Sequence, residues 1–290
     1  MQPGEKGPLE ARSSFQTEPK VTIRARGVMS DKDWYHELFR IVAQLRSDKG
    51  CPWDRQQTHS SLKRYLFEEA AEVLDAIDDE DDSALEEELG DVLLQIALHA
   101  QIAAEEGRFD AQGVAERICE KMIRRHPHVF GDVDVADAEG VVTQWEAIKR
   151  QERAAKATPG DPPGVLAGVP KHLPALHRAY KIQKKASQVG FDWPDAQGVL
   201  AKVEEELAEV RQALADRDQE SLAEEVGDLL FAITNLSRFL GFFPEDQLHD
   251  STRKFEKRFS LMEQQLREGG KSPETCSLEE LDALWQRTKG

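Results

Sequence analysis

Four carboxylates occur as two pairs spaced three residues apart: Glu69 and Glu72 within FEEAAEV, and Glu88 and Asp91 within EEELGDVLL. The same pairs return 137 residues later as Glu206 and Glu209, and Glu225 and Asp228. A spacing of three places each pair on one side of a helix. Charged residues so spaced ordinarily face water. Four carboxylates at close range also repel unless protons or a cation intervene. Such a cost built in twice points to a cation. Oxygen-only ligands suit a hard divalent ion, Mg2+ with Mn2+ as a substitute, which keeps waters and recruits phosphate oxygens. A di-iron centre would need Glu-x-x-His on two helices, and neither pair supplies the histidine.

The elements that must position these acids are legible as apolar stripes. Leu66, Ala70, Val73 and Ile77 form one, and Leu85, Leu89, Val92 and Ile96 another, each with helical period. The acidic run Asp78–Asp82 separates them, and Ser83 with Glu86 has the spacing of a capping box. At roughly 100° per residue, Glu69 lies about 80° to one side of its stripe with Glu72 one turn on at the same side, and Glu88 and Asp91 lie at the same angles to theirs. A short connection makes the helices antiparallel neighbours. Packed through the stripes, they would bring the four acids face to face. The second half repeats this with Val203, Leu207, Val210, Leu214 and Leu222, Val226, Leu229, Ile233. Glu68, whose counterpart is Glu205, falls almost opposite the stripe and is expected to face solvent, as is the acidic turn.

Further blocks repeat in the same order. GCPWD matches GFDWPD, KMIRR matches KFEKR, and WEAIK matches WQRTK. The stretch TPGDPPGVLAGVP, with four prolines and three glycines, reads as a linker. The expected organisation is all-α, a tandem duplication of a helical-bundle unit. A disordered tail covers 1–30, the units cover 31–155 and 172–290, and the linker covers 156–171. Met29 is a candidate start.

The 290 residues carry a formal net charge of −17. That balance speaks against a nucleic-acid partner, which would call for a basic patch. No apolar run approaches a membrane span, the first thirty residues lack the apolar core of a secretory signal, and three scattered cysteines fit a reducing compartment. A cytoplasmic protein with no membrane partner is expected.

Lys121 with Arg125, and Lys254 with Arg258, stand four apart on the helix after the acids, where they could neutralise phosphate oxygens. Trp145 with Lys149, and Trp285 with Lys289, set an aromatic and a cation on one helix face. Either pair can be a docking Trp and a solvated Lys, or a contact to a base or phosphate. Asn235 stands where the first half has Leu98, and a polar group there could read a base, which favours the second unit as the more active. Trp53 and Trp193 read as core or hinge residues. GGKS at 269–272 lacks the earlier glycine of a phosphate loop, and HPH at 126–128 reads as a helix-terminal turn.

EEAAE followed by ELGD, and EELAE followed by EVGD, resemble the EExxE…ExxD signature of the MazG nucleoside triphosphate pyrophosphohydrolases. GCPWD, QTHSSL, HPHVFGD and GFDWPD look like further blocks of that family, so the resemblance runs from about residue 32 to the end. It implies cleavage of NTPs and dNTPs to monophosphate and pyrophosphate with Mg2+, in nucleotide-pool housekeeping, by a homodimer. It implies the eight acids as metal ligands, and Lys254, Arg258, Trp285 and Lys289 on the substrate side. Glu68 or Glu205 is left to accept a proton from the attacking water. A narrow-specificity enzyme, or one unit serving only to bind nucleotide or dimerise, would share these features.

Overall fold

The computed structural model describes residues 33–155 and 164–289. The tail, most of the linker's proline-rich start and Gly290 lie outside them. All regular elements among the described residues are helical. The chain divides into two units, Met1–Trp145 and Glu146–Gly290. In order, the helices are α1 (Trp34–Leu45), α2 (Pro52–Gln56), α3 (Lys63–Asp78), α4 (Asp82–Glu105), α5 (Ala111–Arg125), α6 (Pro127–Phe130), α7 (Ala138–Ala155), α8 (Ala175–Ser187), α9 (Ala196–Asp216), α10 (Gln219–Phe239), α11 (Pro244–Glu268) and α12 (Leu278–Arg287). No single described helix is long and apolar enough to cross a membrane.

In the first unit α1, α3 and α4 pack around Val42, Leu62, Ala97, Leu98 and Ile102, with Leu38, Phe39, Tyr65 and Leu94 against them. Arg46 closes the end of α1: its guanidinium binds Glu105 at 2.8 Å and the carbonyls of Asp54 and Gln57. In the second unit α8, α9 and α10 take the corresponding places, with Val199, Ala213 and Ala232 buried.

The turn that joins each acid-bearing pair is built alike. Asp81 caps α4 by accepting from the backbone N–H groups of Ser83 and Ala84, and Asp218 caps α10 through Glu220 and Ser221. The capping box expected from Ser83 and Glu86 does not form, because the helix begins at Asp82 and leaves Asp81 as the residue with extended backbone before it. Asp81→Ala is therefore expected to cost about 1 kcal/mol of stability, and Ser83→Ala under about 0.5 kcal/mol, as read by urea unfolding. Equal costs would return the cap to Ser83. Just before each cap, Glu80 and Arg217 hold left-handed backbone, φ 54° and 58°.

The packing seam also differs from the one the stripes predict. Ile77, Leu89 and Ile96, with their counterparts Leu214, Val226 and Ile233, are exposed. The inward face of α3 instead runs through Leu62, Tyr65, Glu69, Val73 and Ala76, and that of α4 through Glu88, Asp91, Gln95, Leu98 and Ile102. The core contacts account for it: Leu62, just before α3, and Leu98, within α4, enter the core with Val42, and this turns both helices away from the stripes. The acids consequently lie within the seam rather than along its edge.

Candidate active site

In each unit the acids of the antiparallel pair converge. Carboxylate oxygens of Glu69, Glu88 and Asp91 lie within 4.8 Å of one another, as do those of Glu206, Glu225 and Asp228. Glu72 is exposed at the rim, and its charge acts on both Glu69 and Glu88. Glu209 feels the charge of Glu206 in the same way. Glu68 and Glu205 face outward. Three converging oxygens from hard donors, supplied by two rigid helices, fit a divalent cation that retains waters.

The electrostatics carry the mark of crowding. Burial, then the charges of Asp91 and Glu72, hold the Glu69 carboxyl above the ordinary carboxylate range; burial, then Glu72 and Asp91, do the same to Glu88. Glu209 is raised by burial and then by Glu225 and Glu206. A raised folded-state pKa gives stability that is complete below the unfolded value and lost as pH climbs through the folded one. At neutral pH and without metal, these acids therefore weaken the fold. Glu88→Gln is expected to melt above the parent protein at pH 7.5 in chelator, with the gap closing as pH falls toward 4.5. A gap that stays constant over that range would contradict the repulsion.

Each unit relieves its acids differently. In the first, the buried Gln95 donates to Glu69 at 3.3 Å. In the second, Lys202 binds Glu206 at 2.6 Å and Glu205 at 2.9 Å, and these hydrogen bonds, Glu206 first, hold its ammonium above the usual lysine range. Tyr65 stands at the position of Lys202 in the first unit, and Gln95 at that of Ala232.

The second site opens onto a cavity of about 850 Å³. Glu206, Asp228 and Lys202 form one end, and Trp193, Phe231 and Asn235 contribute to the rest. Trp193 is 40% exposed, which excludes the core half of the core-or-hinge expectation. Its ring lies across the start of α9, where a Cβ on Gly198 would stand 3.0 Å from it. Trp53 is likewise exposed, edge-on to Tyr65 at 5.8 Å.

The cationic and aromatic candidates on the later helices do not line this cavity. Lys254 and Arg258 lie on α11, and Trp285 on α12 packs at a tilt against Phe255, 5.0 Å between ring centres. Lys289 donates to Gln286 at 3.0 Å. In the first half, Arg125 lies over the Trp145 ring at 5.9 Å, beside His126, which ends α5 as expected of HPH. Lys121 is half-buried on α5, and Lys149 pairs with Glu146 at 2.7 Å. Missed from sequence were Lys202, Gln183 and Arg238. Lys202 was signalled by its i,i+4 spacing to Glu206; the other two meet the cavity from separate helices and leave no local signal.

The profile of the MazG nucleotide pyrophosphohydrolase domain matches residues 57–130 and 195–260. The chain is 48% identical over 256 residues to the nucleoside triphosphate pyrophosphohydrolase/pyrophosphatase MazG of Thermotoga maritima, covering 88% of this chain and 96% of that one. It is 45% identical over 257 residues to the nucleoside triphosphate pyrophosphohydrolase of Escherichia coli, covering 87% and 95%. It is also 46% identical over 266 residues to the uncharacterized protein YabN of Bacillus subtilis, 90% of this chain and 53% of that one.

Proposed function

The chain belongs to the MazG nucleotide pyrophosphohydrolase family, and from that premise we propose that it hydrolyses nucleoside triphosphates, ribo and deoxyribo, to monophosphate and pyrophosphate. The observation that carries the reading is the junction in the second unit. Glu206 and Asp228 belong both to the acid cluster and to the wall of a largely apolar cavity. A triphosphate and a base attached to one another need that pairing of environments.

Glu69, Glu72, Glu88 and Asp91 would hold the cation in one unit, and Glu206, Glu209, Glu225 and Asp228 in the other. Bound there, Mg2+ or Mn2+ supplies charge neutralisation on the phosphate oxygens and lowers the pKa of a coordinated water. The acid helices fix where the triphosphate lies. Lys202 places a positive charge beside Glu205 and Glu206, at the end of the cavity that phosphate would enter. Glu205, or Glu68 in the first unit, is the proposed acceptor of the attacking water's proton. That role requires these outward-facing carboxylates to turn toward the acid cluster and Glu205 to leave Lys202. The apolar wall excludes bulk water from the base. Lys254, Arg258, Trp285 and Lys289, with Lys121, Arg125, Trp145 and Lys149 of the first half, are proposed substrate-side residues, a role in which the nucleotide must reach beyond the cavity, since none of them lines it.

Two features support finer statements. The first unit keeps the acids but sets Tyr65, Gln95 and Leu98 where the second has Lys202, Ala232 and Asn235, which favours the second as the catalytic half. The outward apolar residues Ile77, Leu89, Ile96 and their counterparts support a homodimer that covers them, an arrangement that would bury area otherwise left in water. Incubating the full chain with a panel of NTPs and dNTPs plus Mg2+, and resolving products by phosphorus NMR, tests the reaction. Monophosphate with pyrophosphate is expected; diphosphate with orthophosphate would overturn the cleavage position.

A further inference from the structure

The cavity of the second unit is lined by two carboxamides whose orientations are fixed by groups that can only accept or only donate. Gln183 on α8 is 7% exposed and lines the cavity. Its Nε2 donates to the carbonyl oxygen of Phe231 at 2.8 Å. A carbonyl has no hydrogen to give, so the amide cannot stand the other way round. Its Oε1 is thereby turned from Phe231 and is buried with no hydrogen-bond partner, so a ligand in the cavity reaches it only through a shift of the Gln183 side chain or its neighbours. Such acceptors are rare in folded proteins and call for a specific account.

Asn235 on α10 is the mirror case. The Nε of Arg238, which can only donate, reaches Asn235 Oδ1 at 2.9 Å and leaves Nδ2 as the group offered to the cavity. Arg238 is itself held by Asp192 at 2.5 Å. The same wall carries Phe191, Trp193 and Phe231, all exposed, and exposed rings around a cavity suit the faces of a flat heterocycle.

We propose that Gln183 and Asn235 together read the base edge of the nucleotide, Gln183 Oε1 accepting from a base N–H and Asn235 Nδ2 donating to the acceptor beside it. The inference rests on the cavity being the nucleotide site. Each standard base has an N–H next to a ring nitrogen or carbonyl acceptor on its pairing edge, the edge that protein sites generally read. The pair therefore admits all of them and selects against heterocycles that lack the donor. Gln183 is a specificity-determining residue in this scheme, and Arg238 a positioning residue acting through Asn235.

The test compares ATP with purine riboside triphosphate, which differs by the missing exocyclic amine, using the full-length chain. The parent protein is expected to prefer ATP by about tenfold or more in kcat/KM, chiefly through KM, because the analogue leaves a buried acceptor unpaired. In Gln183→Met the preference should fall close to one. Asn235→Asp keeps the bond from Arg238 but replaces the donor with an acceptor, and should raise KM for ATP by about tenfold. It decides the matter alone if Gln183→Met does not fold. A preference that survives in Gln183→Met, or an unchanged KM for ATP in Asn235→Asp, overturns the proposal. Absence of pyrophosphate from both substrates with the parent chain is a separate result, which overturns the nucleotide reading and this inference with it.

Discussion

Glu206→Gln in the full-length chain is expected to slow pyrophosphate release by about a thousandfold, while Glu69→Gln changes it by less than about threefold. Glu206 is 5% exposed, and its carboxylate belongs to the converging set and to the cavity wall. The amide is nearly isosteric but removes a charge from the group proposed to hold a cation against a triphosphate. Loss of one preorganised electrostatic partner commonly costs about 10²–10³ in rate, and loss of a ligand adds weakened cation affinity. Glu69 holds the equivalent place in a unit that lacks the cavity-lining Lys202 and Asn235. A coupled pyrophosphate assay, with melting curves to verify folding, reads both variants. The reverse ranking would assign catalysis to the first unit.

Removal of divalent cations is expected to abolish turnover, with Mg2+ or Mn2+ restoring it. The structural consequence is independent of turnover. A cation that binds only the folded chain stabilises it by about 2.7 kcal/mol at a hundred times its dissociation constant, so the melting temperature should climb with Mg2+. Because the Glu69, Glu88 and Glu209 carboxyls sit above their ordinary range, binding near pH 5 should also release protons. Titrating Mg2+ into weakly buffered, nucleotide-free protein measures this directly. No pH change and no thermal shift would remove the acids from the metal-binding role.

The acids themselves were legible because a spacing of three, repeated 137 residues later, survives any rotation of the helices. The face they occupy was not. Helices α3 and α4 carry two apolar faces, and periodicity alone cannot say which one enters the core; Leu62, outside the counted stripe, settles it. Local capping failed for a related reason, since Asp81 and Ser83 are both good caps and the helix start decides between them. The base end of the cavity was least visible. Gln183 and Phe231 are 48 residues apart, and Asp192 and Arg238 are 46 apart. Such pairs announce themselves only once three helices are assembled.

Glu80 and Arg217 occupy equivalent points in the two acid-bearing hairpins, each in left-handed backbone. A side chain there costs about 1–2 kcal/mol relative to an ordinary helical conformation, and glycine would remove that cost while admitting many more turn shapes. A bulkier residue narrows the shapes open to the turn, and would with it constrain the height at which Glu69 and Glu206 meet the acids opposite. A gap constrained in this way would act as a caliper of set width. Selectivity between Mg2+ and the larger Ca2+ depends on site size and rigidity as much as on ligand type. Discrimination by ionic radius in this protein would thus be written partly into two turn residues that touch no ion.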